Sequence, residues 1–450
     1  MRPMRSLLCG LFAALLAFSA AAPSEARSIK LVRDAEIEET LRAFAGPVFE
    51  AAGVSTESIR LHLVNSDQVN AFVSNGMRIF LYTGLLRISE SPGQVIGVIA
   101  HETGHIVGGH LARLRNEAET RSTQAILSTA LGAAAGIATG DPRVAQALIS
   151  GGITLAEHGL LRHSRTEESA ADQAALQYLD RAKVSSRGFA EFLGILEHRE
   201  TIAGGGGDVY RRTHPLTEDR IRIVRDHAAQ SRWTEGKLPD DFHRRHARMI
   251  AKLDGFLGPP EQTLARYDAT DKGVAARYAR AIAYYRIPRL REALALIDGL
   301  IAEAPKDPYF HELRGQMLFE NGHGAEALEA YRQAVRLSPH AGLIRVELGR
   351  AAIEVGTRET LREAVRNLRE VVRRTPRSAS GWYWLGIAEG RSGRPEFADL
   401  ALAEHAILTG DVRRAASLAG RAVRKLPANS ADWHRAQDIL NRIKPGRAKN

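Results

Sequence analysis

The sequence predicts a mainly α protein in two parts, an α+β catalytic domain with a small sheet followed by an all-α repeat solenoid. Three observations predict it. A five-residue H-E-x-x-H motif, His101-Glu102-Thr103-Gly104-His105, lies on a helical apolar stripe just downstream of two strand-like segments. Beyond Gly258-Pro259-Pro260 the same helical pattern returns every 34 residues. The composition is ordinary for a globular chain: of 450 residues 44% are hydrophobic and 25% charged, with 40 Gly and 17 Pro, which excludes collagen-like, disordered and disulfide-framework classes. The single cysteine, Cys9, falls in a leader-like segment, so cysteine catalysis, disulfides and cysteine-type metal sites drop out of the expected mature chain.

From the N-terminus, residues 1–26 read as a secretory signal. Arg2 and Arg5 form a basic start, Leu7 to Ala22 an apolar run, and Ser24-Glu25-Ala26 a small-x-small cleavage site. The apolar run, 16 residues, is short for a membrane span. Ser6-Leu7-Leu8 ahead of Cys9 lacks the small residues of a lipid-attachment site. Export with cleavage, and a periplasmic mature protein, is the expectation. Residues 30–55 read as helical; Ile59 to Val64 and Ile79 to Tyr82 read as strands, with turn chemistry at Ser74-Asn75-Gly76 between them. The strand Ile79 to Tyr82 is expected to offer its edge to an extended polypeptide. Pro92 opens a helix whose stripe of Val95, Ile96, Val98, Ile99, Ile106 and Val107 carries both motif histidines. Ala125 to Gly140 is uncharged and almost wholly small or apolar, as in a buried helix or an interfacial segment, which leaves peripheral membrane contact open. Residues 166–200 read as helical again, and Gly204 to Gly207 as a flexible loop.

In the last part of the chain, Pro305 and Pro339 stand 34 residues apart, each closing a helix. Twelve residues before them stand Ala293 and Ala327, and 21 before them Tyr284 and Leu318. Pro376 follows 37 residues on, again with an alanine, Ala364, twelve before it; the three added residues are placed in Gly356 to Glu359. Trp382, Leu385, Gly386 and Ala398 continue the frame. Paired helices need small residues where they approach closely, and the pattern is similar to tetratricopeptide repeats, four to five degenerate copies between about 274 and 442. An irregular helical bundle is the alternative. The net charge of +10 is concentrated here: residues 27–259 hold 28 basic and 28 acidic side chains, residues 260–450 hold 32 and 23. That excess suits an acidic partner or anionic surface, and equally an arginine-rich solvated helix face. Nucleic acid is disfavoured by the export signal.

His101 and His105 stand at i and i+4, about 40° apart on one helix face, so both imidazoles reach a single Zn²⁺. Glu102 falls beside them, placed to take a proton from a water. A third ligand must come from elsewhere. The spacing of metzincins asks for histidine ten residues after His101, but that residue is Leu111. His110 is one position off and, on a continuous helix, points away from His101; it reads as a packing or surface histidine. The other source is a carboxylate on a second helix. Arg165-Thr166-Glu167-Glu168-Ser169-Ala170-Ala171-Asp172 places Glu168 and Asp172 at i and i+4, Glu168 as ligand and Asp172 as acceptor from a ligand's free N–H. Taken alone, the same segment reads as an acidic solvated face. The small Ser169, Ala170 and Ala171 allow this helix to lie tightly on the first.

These two motifs, with Asn70-Ala71-Phe72 and Gly84-Leu85-Leu86 upstream, resemble the zinc peptidase family that includes the HtpX protease and the type 1 prenyl (CAAX) protease, over residues 35 to 260. The resemblance implies a gluzincin-type fold with one Zn²⁺ per chain on His101, His105 and Glu168, Glu102 as general base, and Asp172 as ligand orienter or proton donor. Thr213-His214-Pro215 with Arg220 matches a further motif of the family. It implies that His214 either stabilises the tetrahedral oxyanion or closes the fourth coordination position and keeps the enzyme latent; a cap before Pro215 is the plain structural reading. The candidate catalytic residues are therefore Glu102, Asp172, His214 and Arg220. The sequence departs from the family at Gly93-Gln94-Val95, where relatives carry Glu-Leu. Gly104, common in the family, costs about 1 kcal/mol of helix propensity relative to alanine. Combined with an export signal and repeats, the resemblance implies a periplasmic zinc metalloendopeptidase acting on misassembled or stalled outer-membrane proteins, its repeats docking to the β-barrel assembly machinery. The rival reading is a repeat-based chaperone or scaffold with a latent zinc site. Prenyl-protein processing is disfavoured by export. The expected boundaries are 1–26 signal, 30–259 peptidase and 260–450 repeats.

Overall fold

The computed structural model describes residues 30–443 apart from 75–76, 114–115, 117–118, 121, 124–164, 204–209 and 211–212. The signal segment, the apolar stretch 125–140 and the loop 204–207 lie outside the described residues. The first element is a short strand, β1 (Leu31–Val32), followed by helix α1 (Ala35–Ala51). The helix begins later than the expected residue 30 because the Asp34 side chain accepts from the Ile37 N–H at 2.9 Å and caps it there. That leaves Leu31 and Val32 to pair with the next strand. Ile37, Leu41, Phe44 and Val48 form the buried face of α1.

Strands β2 (Arg60–Val64), β3 (Ala71–Ser74) and β4 (Arg78–Tyr82) complete a four-stranded sheet in the order β1-β2-β4-β3. β2 and β4 are parallel; the other two pairings are antiparallel. The excursion between β2 and β4 lays β3 outside β4, so β4 is hydrogen-bonded on both sides. The expectation that Ile79 to Tyr82 presents a free edge is therefore wrong; among the described residues β3 is the edge strand on that side.

After the short helix α2 (Thr83–Ile88), Pro92 stands at the start of α3 (Pro92–Val107), whose Val95, Ile96, Val98 and Ile99 are buried in one core with α1 and the sheet. The segment expected as one helix over 166–200 is two, α4 (165–181) and α5 (Arg187–Ala203). Lys183 interrupts it with φ +58°, and the Val184 N–H returns to the Leu179 carbonyl at 2.9 Å, a left-handed helix ending. Helices α6 (Glu218–Gln230) and α7 (Asp240–Leu257) close this half.

A lead-in helix, α8 (Pro260–Arg266), precedes five helix pairs: α9 (Val274–Arg286) with α10 (Leu290–Glu303), α11 (Pro308–Glu320) with α12 (Gly324–Leu337), α13 (Gly342–Val355) with α14 (Arg358–Arg374), α15 (Ala379–Arg391) with α16 (Pro395–Leu408), and α17 (Val412–Lys425) with α18 (Ala431–Ile443). Ala293, Ala327 and Ala364 are fully buried, at the predicted close contacts. The three added residues of the third repeat do not sit in the turn at Gly356 to Glu359. They lengthen α14 to 17 residues, where α10, α12 and α16 have 14. The turn stays short because Gly356 takes the left-handed conformation and Thr357 caps α14 at once.

The first turn of α1 packs into the repeats. Ala35 belongs to the repeat core with Tyr309 and Ile344, the Tyr278 hydroxyl donates to Glu36 at 2.8 Å, and the Tyr309 hydroxyl donates to Glu39 at 2.7 Å. From α7, Lys252 Nζ lies 2.8 Å from Asp34, 3.2 Å from Glu36 and 3.8 Å from Glu312, while Arg248 bridges Glu36 and Asp307. No described helix is long and apolar enough to cross a membrane.

Removing Lys252 takes the cation from Asp34 and Glu312 and leaves Glu36 with Arg248 alone, inside a largely water-free junction. Lys252→Ala is expected to destabilise the protein by about 3–5 kcal/mol in urea unfolding, whereas Arg222→Ala, in the exposed pair with Asp219, leaves the transition essentially where it was.

Candidate metal centre

The centre is built where α4 lies across α3. A Cβ on Gly104 would stand 2.8 Å from the Ala171 carbonyl oxygen, so the glycine inside the motif is what lets α4 approach at backbone distance. The small Ala171 meets it from the other side, fully buried. This contact brings Glu168 over the two motif histidines. His105 Nε2 lies 3.1 Å from His101 Nε2, and the Glu168 carboxylate stands 3.4 Å from the first ring's Nε2 and 3.2 Å from the second's. His214, from the segment before α6, adds its Nδ1 at 3.3 Å from His101 Nε2 and 3.1 Å from Glu168 Oε1. One donor atom from each of His101, His105, Glu168 and His214 lies within 4.8 Å of the others.

These separations test the fit to zinc. Donors at about 2.0–2.1 Å from a tetrahedral ion stand about 3.3 Å apart. Three imidazole nitrogens and a carboxylate turned to one centre at 3.1–3.4 Å match that spacing and the nitrogen–oxygen donor set zinc takes. Glu102 supplies a second sign. It is fully buried, neither carboxylate oxygen has a hydrogen-bond partner among the described residues, and His214 Nε2 lies 3.5 Å away. A buried carboxylate left in this way belongs beside a bound ion or water.

The surroundings orient the rings. His101 Nδ1 lies 2.9 Å from Asp172 Oδ1, which leaves Nε2 for the centre. Asp172 is clamped by Arg220 through Nε at 2.6 Å and Nη2 at 2.9 Å, and Arg220 Nη1 lies 2.9 Å from Glu168. His214 stacks on Tyr210, with ring centres 4.6 Å apart, and its Nε2–H donates to the Ala71 carbonyl of β3 at 3.1 Å.

Electrostatics separate groups of one chemical type. Burial disfavours charge on His101, but Asp172 and Glu168 outweigh it and push its pKa up to about 9. His105 is pushed down to about 3 by burial, only partly offset by Glu168. Burial also opposes charge on His214, and Glu168 and Glu102 raise it nonetheless. Burial pushes Glu102 up. It acts the same way on Glu168 and Asp172, but His214 and the motif rings hold the first below the usual carboxylate range, and Arg220 with His101 holds down the second.

The structure thus brings His101, Glu102, His105, Glu168, Asp172, His214 and Arg220 together. It also brings in His110, read from the sequence as a packing or surface histidine, and Glu167, to which the sequence reading gave no role. α3 is not continuous into His110: Gly109 has φ +68° and turns the chain back, so His110 is buried with its Nδ1 3.0 Å from His105 Nδ1. Glu167 then reaches His110 Nε2 at 2.8 Å. The signal was present in Gly108-Gly109, a helix-ending pair that begins three residues past His105.

Residues 32–228 match Peptidase family M48, and tetratricopeptide repeat matches cover 261–308, 278–342, 312–357 and 348–398. The chain is 24% identical to the beta-barrel assembly-enhancing protease of Escherichia coli K12 and 23% identical to that of Yersinia pestis, in each case across 93% of this chain and 85% of the relative. Among solved structures, the tetratricopeptide protein YrrB is 20% identical over 38% of this chain and 88% of its own, with a TM-score of 0.32. With a peptidase family M48 domain and relatives of this kind, the chain is a zinc metalloprotease.

Zinc must displace protons to bind here. His101, pushed up to about 9, holds a proton at neutral pH in the metal-free protein, so zinc affinity falls as pH drops and rises as pH climbs toward about 9. Calorimetry at pH 7 in two buffers of different ionisation enthalpy is expected to show net proton release on zinc uptake; a proton count of zero contradicts the assignment.

Proposed function

We propose that this chain, a zinc metalloprotease with a peptidase family M48 domain and a tetratricopeptide-repeat tail, is a periplasmic endopeptidase that degrades misassembled or stalled outer-membrane proteins. The observation that carries the reading is Glu102, a buried carboxylate with neither oxygen hydrogen-bonded among the described residues, beside four converging metal donors. A purely structural site has no use for it. We assign His101, His105 and Glu168 as ligands. Bound there, Zn²⁺ would supply Lewis acidity to a peptide carbonyl and lower the pKa of water toward about 7. Glu102, its own pKa raised by burial, takes the proton of the attacking water and returns it to the leaving amine. Asp172 and Arg220 are positioning residues: the guanidinium keeps Asp172 ionised, which leaves that carboxylate no proton to donate and suits it to hold His101 by Nδ1–H.

His214 is read as the latch. The Tyr82 N–H donates to the Asn70 carbonyl, so the next carbonyl along β3, that of Ala71, faces away from β4 onto the free edge. An extended substrate adding to β3 needs that edge, and His214 Nε2–H occupies it while Nδ1 fills the metal centre. Substrate entry then displaces the ring, and the freed imidazole is placed to hydrogen-bond the developing oxyanion.

The work in outer-membrane assembly is supported by the names of the relatives aligned over 93% of the chain. The repeats, with their basic excess, are the proposed docking part for the β-barrel assembly machinery, and the proposed boundaries are 1–26 signal, 30–259 peptidase and 260–450 repeats. The closed position of His214 favours a second reading, a chaperone or scaffold whose zinc site stays latent.

Zinc content and casein cleavage, measured side by side, separate the two. Glu102→Gln is expected to keep its zinc and lose about 10²–10⁴ in rate, and His214→Ala to cleave faster than the parent. Zinc in all three proteins with no cleavage by any, or full complementation of a null strain under envelope stress by Glu102→Gln, makes the repeats the working part. Docking through the repeats is expected to weaken as salt rises from 50 to 200 mM, checked by surface-immobilised titration; equal affinity at both refutes a charge-driven contact.

A further inference from the structure

We infer that His110 and Glu167 form a hydrogen-bonded relay that holds the His105 ring in its metal-facing orientation, which makes His110 a positioning residue of the zinc site. The inference rests on the reading of His105 as a ligand. Ligand histidines ordinarily pass their outward N–H to a carboxylate, carbonyl or water. His101 turns its outward Nδ1 to a carboxylate, Asp172 Oδ1, at 2.9 Å. His105 does not: its Nδ1 meets another imidazole, His110 Nδ1, at 3.0 Å. The far nitrogen of His110, Nε2, lies 2.8 Å from Glu167 Oε2. Glu167 is gripped in turn by Arg113, through Nε at 2.7 Å and Nη2 at 2.8 Å.

Only one placement of protons serves this chain of contacts. An ionised Glu167 only accepts, so His110 Nε2 carries its hydrogen and His110 Nδ1 presents a lone pair. His105 Nδ1 must then donate, and His105 Nε2 turns its lone pair to the centre, 3.2 Å from Glu168. The relay thus selects both the tautomer and the rotation of the ligand ring. His105, His110 and Glu167 are all buried, so water does not compete for these bonds.

The backbone is shaped for this arrangement. Gly109, at φ +68°, reverses the chain so that His110 folds back onto the helix it has just left. A Cβ on Gly108 would stand 2.2 Å from His110 Nε2, so the imidazole lies where any other residue would put its side chain. On α4, Glu167 and Glu168 are consecutive. The docking that aims one carboxylate at the metal centre aims its neighbour at the relay.

The test is zinc affinity of the full chain by competition with a chromophoric chelator, together with circular dichroism melting of each variant. His110→Ala is expected to bind zinc about 10–100-fold more weakly. His110→Gln, whose amide oxygen accepts from His105 and whose amide N–H donates to Glu167, restores most of the loss. Gly108→Ala keeps every polar group but pushes the ring aside, and it weakens zinc as well. In ¹⁵N-histidine spectra of the zinc-loaded protein, His105 shows the Nδ1–H tautomer and His110 the Nε2–H tautomer. His105→Ala is the control for the underlying reading. If it abolishes zinc binding while folded His110→Ala and Gly108→Ala bind within about twofold of the parent, the relay is overturned and the ligand assignment stands. If His105→Ala binds zinc like the parent, the ligand assignment fails and takes the relay with it.

Discussion

The chemistry of this molecule depends on how closely α4 lies against α3. A glutamate side chain has a fixed reach, and Glu168 meets two imidazoles on the neighbouring helix only because nothing but a hydrogen stands on Gly104 where Ala171 passes. The same contact delivers Asp172 to the outward nitrogen of His101 and Glu167 to His110. One helix crossing therefore sets a candidate ligand and the two carboxylates that stand behind the motif histidines. The helix propensity lost at Gly104, about 1 kcal/mol, is small beside what the crossing assembles.

A crossing this tight excludes water, so charge must be balanced among the groups themselves. Arg220 answers both Asp172 and Glu168, and the rings answer the carboxylates. The two histidines of one motif end up far apart in basicity, one up to about 9 and the other down to about 3, because burial is outweighed by Asp172 and Glu168 at His101 but prevails over Glu168 at His105. The same economy recurs where the halves of the chain meet. Lys252 and Arg248 hold the acidic first turn of α1 against the repeats, so the solenoid is anchored to the catalytic half through the helix that also backs the sheet.

That junction bears on how the repeats serve the centre. The strand that a substrate would join, β3, belongs to the sheet backed by α1, and the first turn of α1 is itself packed among repeat helices. A partner that moved the repeats would act on a helix that shares the core of the sheet without touching the metal donors. His214 is the other link, since one ring contacts both the edge carbonyl of β3 and the carboxylate of Glu168.

Periodicity and short spacing are local properties, and the sequence by itself determined what they govern. The apolar stripe of α3, the two histidines one turn apart on it, Glu168 and Asp172 one turn apart on α4, and the 34-residue helix pairs all follow from side-chain spacing along a helix. What depended on which backbone atoms find partners was left to the tertiary structure. Strand order is such a case, since β4 became central only when the excursion carrying β3 folded outside it. The three residues added in the third repeat went into α14 because Gly356 and Thr357 closed the preceding turn. His110 is the sharpest instance. A helical projection sends it away from His101, but a left-handed glycine breaks that projection and returns the ring to the centre, because φ at one residue redirects everything after it.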